Sequence, residues 1–267
     1  MLILLPSSQT MHRHPSGRAM SLPDLSFPAL TPTRSLIAEV LIADSAEPYA
    51  TATLRISPAL AAEVAGNTRL LTDPAMLARD LYIGTLYRCL DLPSLTGLAR
   101  RRANHWIVIQ SPLYGALRPS DRIAPYRLSM NSPLPHVAPL ANRWREPLGH
   151  VLPTAIGAGL LVDCRSGVDA TAWSPRGSLA LQWVKVRVNG SAASAKQVHG
   201  QLTRHLIEDL VDAQSPQDLR DYLARHFDVQ LSRRDRGVRE WLLDVTPRED
   251  DSGRSRTRPA LRHLTNA

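Results

Sequence analysis

The side chains that could do chemistry together in this chain are Tyr114, Arg118, Asp121, Tyr126, Arg127, Ser166, Asp169, Lys196 and His199. Most of the first group sits in one run. Ser111-Pro112-Leu113-Tyr114-Gly115-Ala116-Leu117-Arg118-Pro119-Ser120-Asp121 is continued by Tyr126-Arg127-Leu128-Ser129-Met130. Gly115 permits a close turn, and Pro119 and Pro125 stiffen the path around the charges. Arg118 and Arg127 are suited to clamp a carboxylate or phosphate, because a guanidinium offers paired donors in a fork. Asp121 or Asp169 would orient or protonate, and Tyr114 or Tyr126 would donate to a developing oxyanion. Ser166, Asp169 and His199 complete the candidate ligand contacts. A buried Arg–Asp pair that only staples the loop explains the run equally well.

Lysine usage singles out one further group. Of 32 basic residues, only Lys185 and Lys196 are lysine. A desolvated lysine can lose its proton near neutrality and act as a general base or Schiff-base nucleophile, which arginine cannot do. Lys185 falls in the alternating stretch Trp183-Val184-Lys185-Val186-Arg187-Val188, on its exposed face, which leaves Lys196 as the catalytic candidate. The spacing around it predicts a helix over 193–213. At ~100° per residue Ala195, Val198, Leu202 and Leu206 share the core stripe, with Lys196, His199, Gly200 and Thr203 on an adjacent strip. A glycine inside a helix costs roughly 1 kcal/mol against alanine, so Gly200 suggests a close backbone approach. An ordinary amphipathic helix with its polar side in water is slightly favoured by spacing alone.

The elements that would position these groups alternate between strand and helix. Apolar runs at 2–5, 106–110, 160–164 and 179–188 predict strands, with two short ones near 229–231 and 241–245. Ser57-Pro58, Asp73-Pro74, Pro93-Ser94 and Ser215-Pro216 predict helix starts, through N-caps and a proline in the first turn. Those helices would end near Gly66, Tyr82, Arg102 and Phe227. Apolar spacing over Leu36–Ile42 and a short stretch around Ala170–Trp173 add two more, and residues 11–33 read as a long loop or pinned lid. This alternation points to a mixed α/β protein with no internal repeat. The turn at Gly97 before Arg100-Arg101-Arg102 resembles half of a helix-hairpin-helix phosphate site. Ala99 replaces its second glycine, and a solvated basic helix end explains it better.

Composition narrows the class. Hydrophobic residues make up 43% and charged residues 21%, as in soluble globular proteins. No apolar stretch approaches the ~20 residues of a membrane span, and Leu2-Ile3-Leu4-Leu5 stops at Pro6, too short for a signal peptide's core. The expected setting is the cytoplasm, with no membrane partner. Cys89 and Cys164 have neither disulfide nor metal-ligand spacing, and His12 with His14 is too small a set to hold an ion. Neither a metal nor a cofactor is expected. The net charge of +8 fits an anionic ligand or weak nucleic-acid binding. Part of it belongs to a basic segment, 247–267, expected to be a disordered tail beyond a single domain at 1–246.

The run from Tyr114 to Met130 resembles the signature of the YaaA family of bacterial peroxide-stress proteins. Met1-Leu2-Ile3-Leu4-Leu5-Pro6, Leu81-Tyr82-Ile83-Gly84-Thr85-Leu86-Tyr87, Trp144-Arg145, Leu161-Val162-Asp163-Cys164-Arg165-Ser166 and Ala195-Lys196 fall where other family motifs fall. The resemblance implies a single mixed α/β domain with a positively charged cleft. It also implies a link to DNA binding and to limiting iron-driven oxidative damage. Three departures stand out. A lysine of the loop after the first strand is missing, Met11 taking its place; a serine–tyrosine pattern becomes Arg165-Ser166-Gly167-Val168-Asp169; and His199 replaces the arginine of an "AKxxRG" motif. Losing two cations and gaining Asp169 suits a phosphate backbone poorly. The expected function is therefore a cofactor-independent enzyme on a small anionic or carbonyl-bearing molecule, of the kind used in specialised metabolism. The alternative is the DNA-binding stress role.

Overall fold

Three apolar runs, Leu2–Pro6, Ile107–Ser111 and Leu161–Asp163, become neighbouring parallel strands buried on both faces, which is why they read as continuous hydrophobic stretches. The fourth, Trp183–Val188, lies beside them and alternates, with Arg187 exposed. The computed structural model describes residues 1–209, 211, 213–233 and 240–248. In chain order the strands are β1 (Leu2–Pro6), β2 (Met76–Leu77), β3 (Ile107–Ser111), β4 (Gly115–Leu117), β5 (Arg122–Ile123), β6 (Leu161–Asp163), β7 (Trp183–Val188), β8 (Phe227–Arg233) and β9 (Trp241–Pro247). Seven of them form one sheet in the order β4-β3-β1-β6-β7-β9-β8, and β2 pairs with β5 apart from it. Strands β3, β1, β6, β7 and β9 run parallel; β4 and β8 close the two edges antiparallel. With the helices between its strands, this is one mixed α/β domain.

Two glycines set close contacts. Gly115 (φ +72°) starts β4 and lies flat against the Trp144 ring, where an added Cβ would sit 2.5 Å from a ring carbon. Gly200 lies in the helix Ala192–Glu208, which packs on the helix Thr85–Leu90. A Cβ there would stand 2.3 Å from the Leu86 carbonyl oxygen, the close approach that a helix-interior glycine implied.

Several expectations need correcting. Asp73-Pro74 does not open a helix to Tyr82: β2 takes Met76 and Leu77, leaving a single turn at Ala78–Leu81, because β5 arrives to pair with it. The helix after Pro93 starts four residues later, at Gly97. The helix Leu140–Ile156 carries Pro147 and Pro153 in its interior and was not expected. Residues 11–33 are pinned by bridges Met11–Tyr82 and Ala19–Pro74, and a helix already begins at Thr31. At the other end β9 continues through Pro247, and Arg248 binds Asp228 and the carbonyls of Ala224 and Arg225. The rest of the expected tail, 249–267, lies outside the described residues.

Candidate functional site

Strand β1 lies between β3 and β6, so the loops leaving the carboxyl ends of these three parallel strands part to either side. That divergence opens a crevice, the usual ligand position in open α/β sheets. A cavity of about 510 Å³ lies there. Ser7 and Gln9 after β1 line it, with Pro112 after β3 and Cys164, Ser166 and Asp169 after β6; Thr85 and Tyr87 come from one helix, and Lys196 and His199 from another. The Ser191 hydroxyl caps that second helix by accepting from Ser194 N–H, which fixes where its first turns meet the cavity.

The wall after β6 is held by a buried ion pair. Arg165 Nε and Nη2 donate to the two carboxylate oxygens of Asp163 at 2.9 and 2.8 Å, both side chains wholly buried. Arg165 also donates to the Gln110 side-chain oxygen and to the Trp173 and Asp169 carbonyls. Trp183 Nε1 donates to Asp163 at 3.1 Å. The guanidinium is thus spent on shaping the loop that presents Ser166 and Asp169. Sequence reasoning missed this pair; its signal was the Asp163–Arg165 spacing of two at a strand end, which puts both on one side of the chain.

Asp169 and His199 are the unusual groups of the cavity. Gln110 and Arg165 bond the backbone carbonyl of Asp169, not its carboxylate. Burial raises the carboxyl's pKa above the usual range, and the charge of Arg165 offsets this in part. His199 is 7% exposed, and burial lowers its pKa to about 4, opposed by the Val186 backbone and Asp163. It is therefore neutral at pH 7, and its buried Nε2 has no hydrogen-bond partner among the described residues. A neutral imidazole with an unmatched ring nitrogen can bind a ligand donor or acceptor, depending on tautomer. Lys196 stands at the mouth, exposed to solvent rather than desolvated. Gly200 gives it no pocket, because that gap is filled by the Leu86 carbonyl.

The phenols of Tyr126 and Tyr114 lie beneath or away from the cavity. Tyr126 is buried, its hydroxyl 2.8 Å from Ser111 Oγ and 3.2 Å from the Tyr82 hydroxyl. Burial raises its pKa, and hydrogen bonds with Ser111, Tyr82 and Ser7 oppose the rise. Ser7 is the link to the cavity, one side chain above Tyr126. Tyr114 does not reach it: its hydroxyl donates to the Ala124 carbonyl at 3.1 Å, inside the core.

Arg118 and Asp121 do not share a cleft with Lys196, and the reason is the hairpin. Because β4 returns antiparallel along β3, from Ser111–Gly115 to Ile109–Leu117, it carries Arg118 back to the start of β3. There Arg118 donates to the His105 and Ile107 carbonyls at 2.5 and 3.1 Å. Asp121 accepts from Ser26 N and Oγ and from Arg118 N, at 2.7–3.0 Å. Arg127 lies near the rim but is engaged, donating to the Gln9 carbonyl and pairing with Glu63 at 3.3 Å. Lys196 is thus the one lysine or arginine among the described residues lining the cavity, so the expected basic cleft is not found there.

The family model described as "Peroxide stress protein YaaA" matches residues 1–232. The chain belongs to the YaaA family. A UPF0246 protein of Streptomyces coelicolor is 37% identical over 258 residues, spanning 93% of this chain and 99% of its own. A UPF0246 protein of Corynebacterium glutamicum is 31% identical over 227 residues, 82% of this chain and 90% of its own. In this YaaA-family chain, Ser8 Oγ closes the loop after β1 by accepting from Thr10 N and Gly84 N, both at 3.0 Å. Met11 pairs with Tyr82 through the backbone. No described helix is long and apolar enough to cross a membrane.

Proposed function

We propose that the cavity binds a small anionic or carbonyl-bearing molecule and acts on it by proton transfer. The observation that carries this reading is Asp169, a half-buried carboxyl whose pKa burial raises above that of a free carboxylate, facing the same space as a neutral His199. Lys196 at the mouth would attract the anion, and His199 Nε2 would fix its orientation. Tyr126 would act through Ser7 as a positioning group. The volume suits a metabolite and not a polymer.

The test is an untargeted comparison of small-molecule extracts incubated with wild-type protein and with Asp169→Asn. A compound consumed by the wild type and spared by the variant is expected. Equal consumption by both, or none by either, would overturn the reading.

Family membership and the net charge favour DNA binding as a second reading. The cavity has little cationic surface for it. The helix Gly97–Trp106 suits it better, with Arg101 exposed and Arg102 stacked on Trp106 at 4.4 Å. Binding of duplex DNA that falls steeply with salt and is weakened by Arg101→Ala, but not by Lys196→Ala, would place that activity on the helix.

A further inference from the structure

Far from the cavity, at the other end of the helix that carries Lys196 and His199, three side chains with metal-ligating atoms converge. His205 and Asp209 are four residues apart at the carboxyl end of that helix and so share a face. His226 lies in the turn after the next helix, Pro216–Leu223, just before β8 begins at Phe227. A capping box of Ser215 and Asp218 anchors the start of this second helix, fixing the path that delivers His226. The two imidazole rings stack with centroids 3.9 Å apart and planes 20° apart. His226 Nε2 lies 3.6 Å from Asp209 Oδ2, and one ligating atom from each residue lies within 4.8 Å of the others.

We propose that His205, Asp209 and His226 form a binding site for a divalent transition-metal ion, with Zn²⁺ the best match. Two imidazoles and one carboxylate are a borderline-soft N₂O set, which Zn²⁺ takes in tetrahedral geometry with a fourth position open to water. At Zn–N and Zn–O distances of about 2.0–2.2 Å, tetrahedral donors stand roughly 3.3–3.5 Å apart. Closing the present triangle draws the donor atoms together by up to about 1.5 Å and turns the two stacked imidazoles so that their ring planes meet at the ion. Asp209 is exposed and both histidines are only partly buried, so these shifts and the ion's entry are open. Mg²⁺ and Ca²⁺ require oxygen-rich shells and are excluded by the chemistry of the set.

A further contact marks this as more than a surface cluster. The Tyr222 hydroxyl donates to Asp209 Oδ2 at 2.5 Å and lies 3.1 Å from the His205 carbonyl oxygen. Such a bond orients the ligating carboxylate while leaving lone pairs for an ion, the arrangement outer-shell partners adopt around metals. The bound ion would tie the end of one helix to the entry of the edge strand β8. Sequence reading passed over the site because its third ligand comes from the turn after a different helix, with no compact spacing motif to flag it.

The test uses the full chain, stripped with a chelator and exchanged into metal-free buffer, then titrated calorimetrically with ZnCl₂ and, separately, MgCl₂. The expected result is one equivalent of Zn²⁺ bound and no comparable Mg²⁺ binding. His226→Gln and Asp209→Asn should each weaken Zn²⁺ at least tenfold, and Tyr222→Phe about 10–100-fold. Asp209→Asn is nearly isosteric, so its circular dichroism should match the wild type and a loss of binding cannot be assigned to unfolding. Co²⁺ should give the visible absorption of a tetrahedral site in the wild type, absent in both ligand variants. Failure of the wild type to take up one equivalent, or equal uptake by wild type and both ligand variants, would overturn the proposal.

Discussion

At the amino end of β3, Arg118 donates to two carbonyls and Asp121 accepts three bonds. At the carboxyl end of the same strand, His199 Nε2 has no partner among the described residues, and Asp169 keeps its carboxylate out of the bonds its backbone accepts. Both ends hold an acid and a cation. The first consumes its polar groups in fixing the chain, whereas the second leaves them facing a cavity. Residue type alone does not separate a site from a staple; what separates them is whether the hydrogen-bonding capacity has been spent.

The strongest way to break this contrast is at Arg165, which stands at the cavity end but behaves as a staple. Removing it strands Asp163 as a buried, uncompensated charge. Arg165→Ala should cost roughly 3–5 kcal/mol of unfolding free energy in denaturant titration. A loss under about 1 kcal/mol would mean that water reaches Asp163 and the wall is not rigid.

His199 offers a test through pH. Its ordinary pKa is 6.5 and its native value about 4, so between these limits the unfolded chain binds a proton that the folded chain does not. Stability then rises with pH across this window, and acidification from 6.5 to 4 removes it. At about 1.36 kcal/mol per unit the loss approaches ~3 kcal/mol. Asp169, with its raised pKa, works the other way, losing stability as pH rises through its native value. His199→Gln should flatten the acid limb of a stability–pH profile. An unchanged limb would show that His199 is solvated and not the neutral wall of a cavity.

Asp121→Ala gives the complementary result at the staple end. Three donors lose their acceptor in a nearly buried place, so roughly 2 kcal/mol of stability should go. Consumption of the cavity's ligand, measured at a temperature where the variant remains folded, should match the wild type. Selective loss of turnover with full stability would return Asp121 to the site and erase the contrast.

What the sequence disclosed and what it hid follow one physical line. The central strands were legible because burial on both faces makes them apolar runs, and the Gly200 contact was legible because helix interiors tolerate glycine only for a reason. The helix Leu140–Ile156 was hidden by Pro147 and Pro153 in its interior, each of which removes a backbone donor. The end of β3 at which Arg118 sits depends on whether the chain after Gly115 continues outward or folds back. The backward turn comes from pairing with β3 and packing on Trp144, contacts distant in sequence. Ser166, Asp169, Lys196 and His199 do line one cavity, and the resemblance to the YaaA family was what drew attention to their segments.

Lys196 carries the smallest expected effect and the sharpest distinction. As the one lysine expected in a cleft, it was read as a desolvated base or nucleophile. That role requires a shielded amine. The structure instead places Lys196 exposed at the mouth, with the gap beside Gly200 closed by the Leu86 carbonyl. An exposed ammonium acts chiefly as a point charge that draws an anion inward, and a guanidinium in the same place carries the same charge. Lys196→Arg should therefore leave turnover of the ligand identified with Asp169→Asn within about twofold of wild type. Lys196→Ala should raise KM several-fold, with the difference shrinking at high salt as screening removes the attraction. If Lys196→Arg abolishes kcat as completely as Lys196→Ala, the amine itself takes part in the chemistry, and helix Ala192–Glu208 must move to bury it when ligand binds.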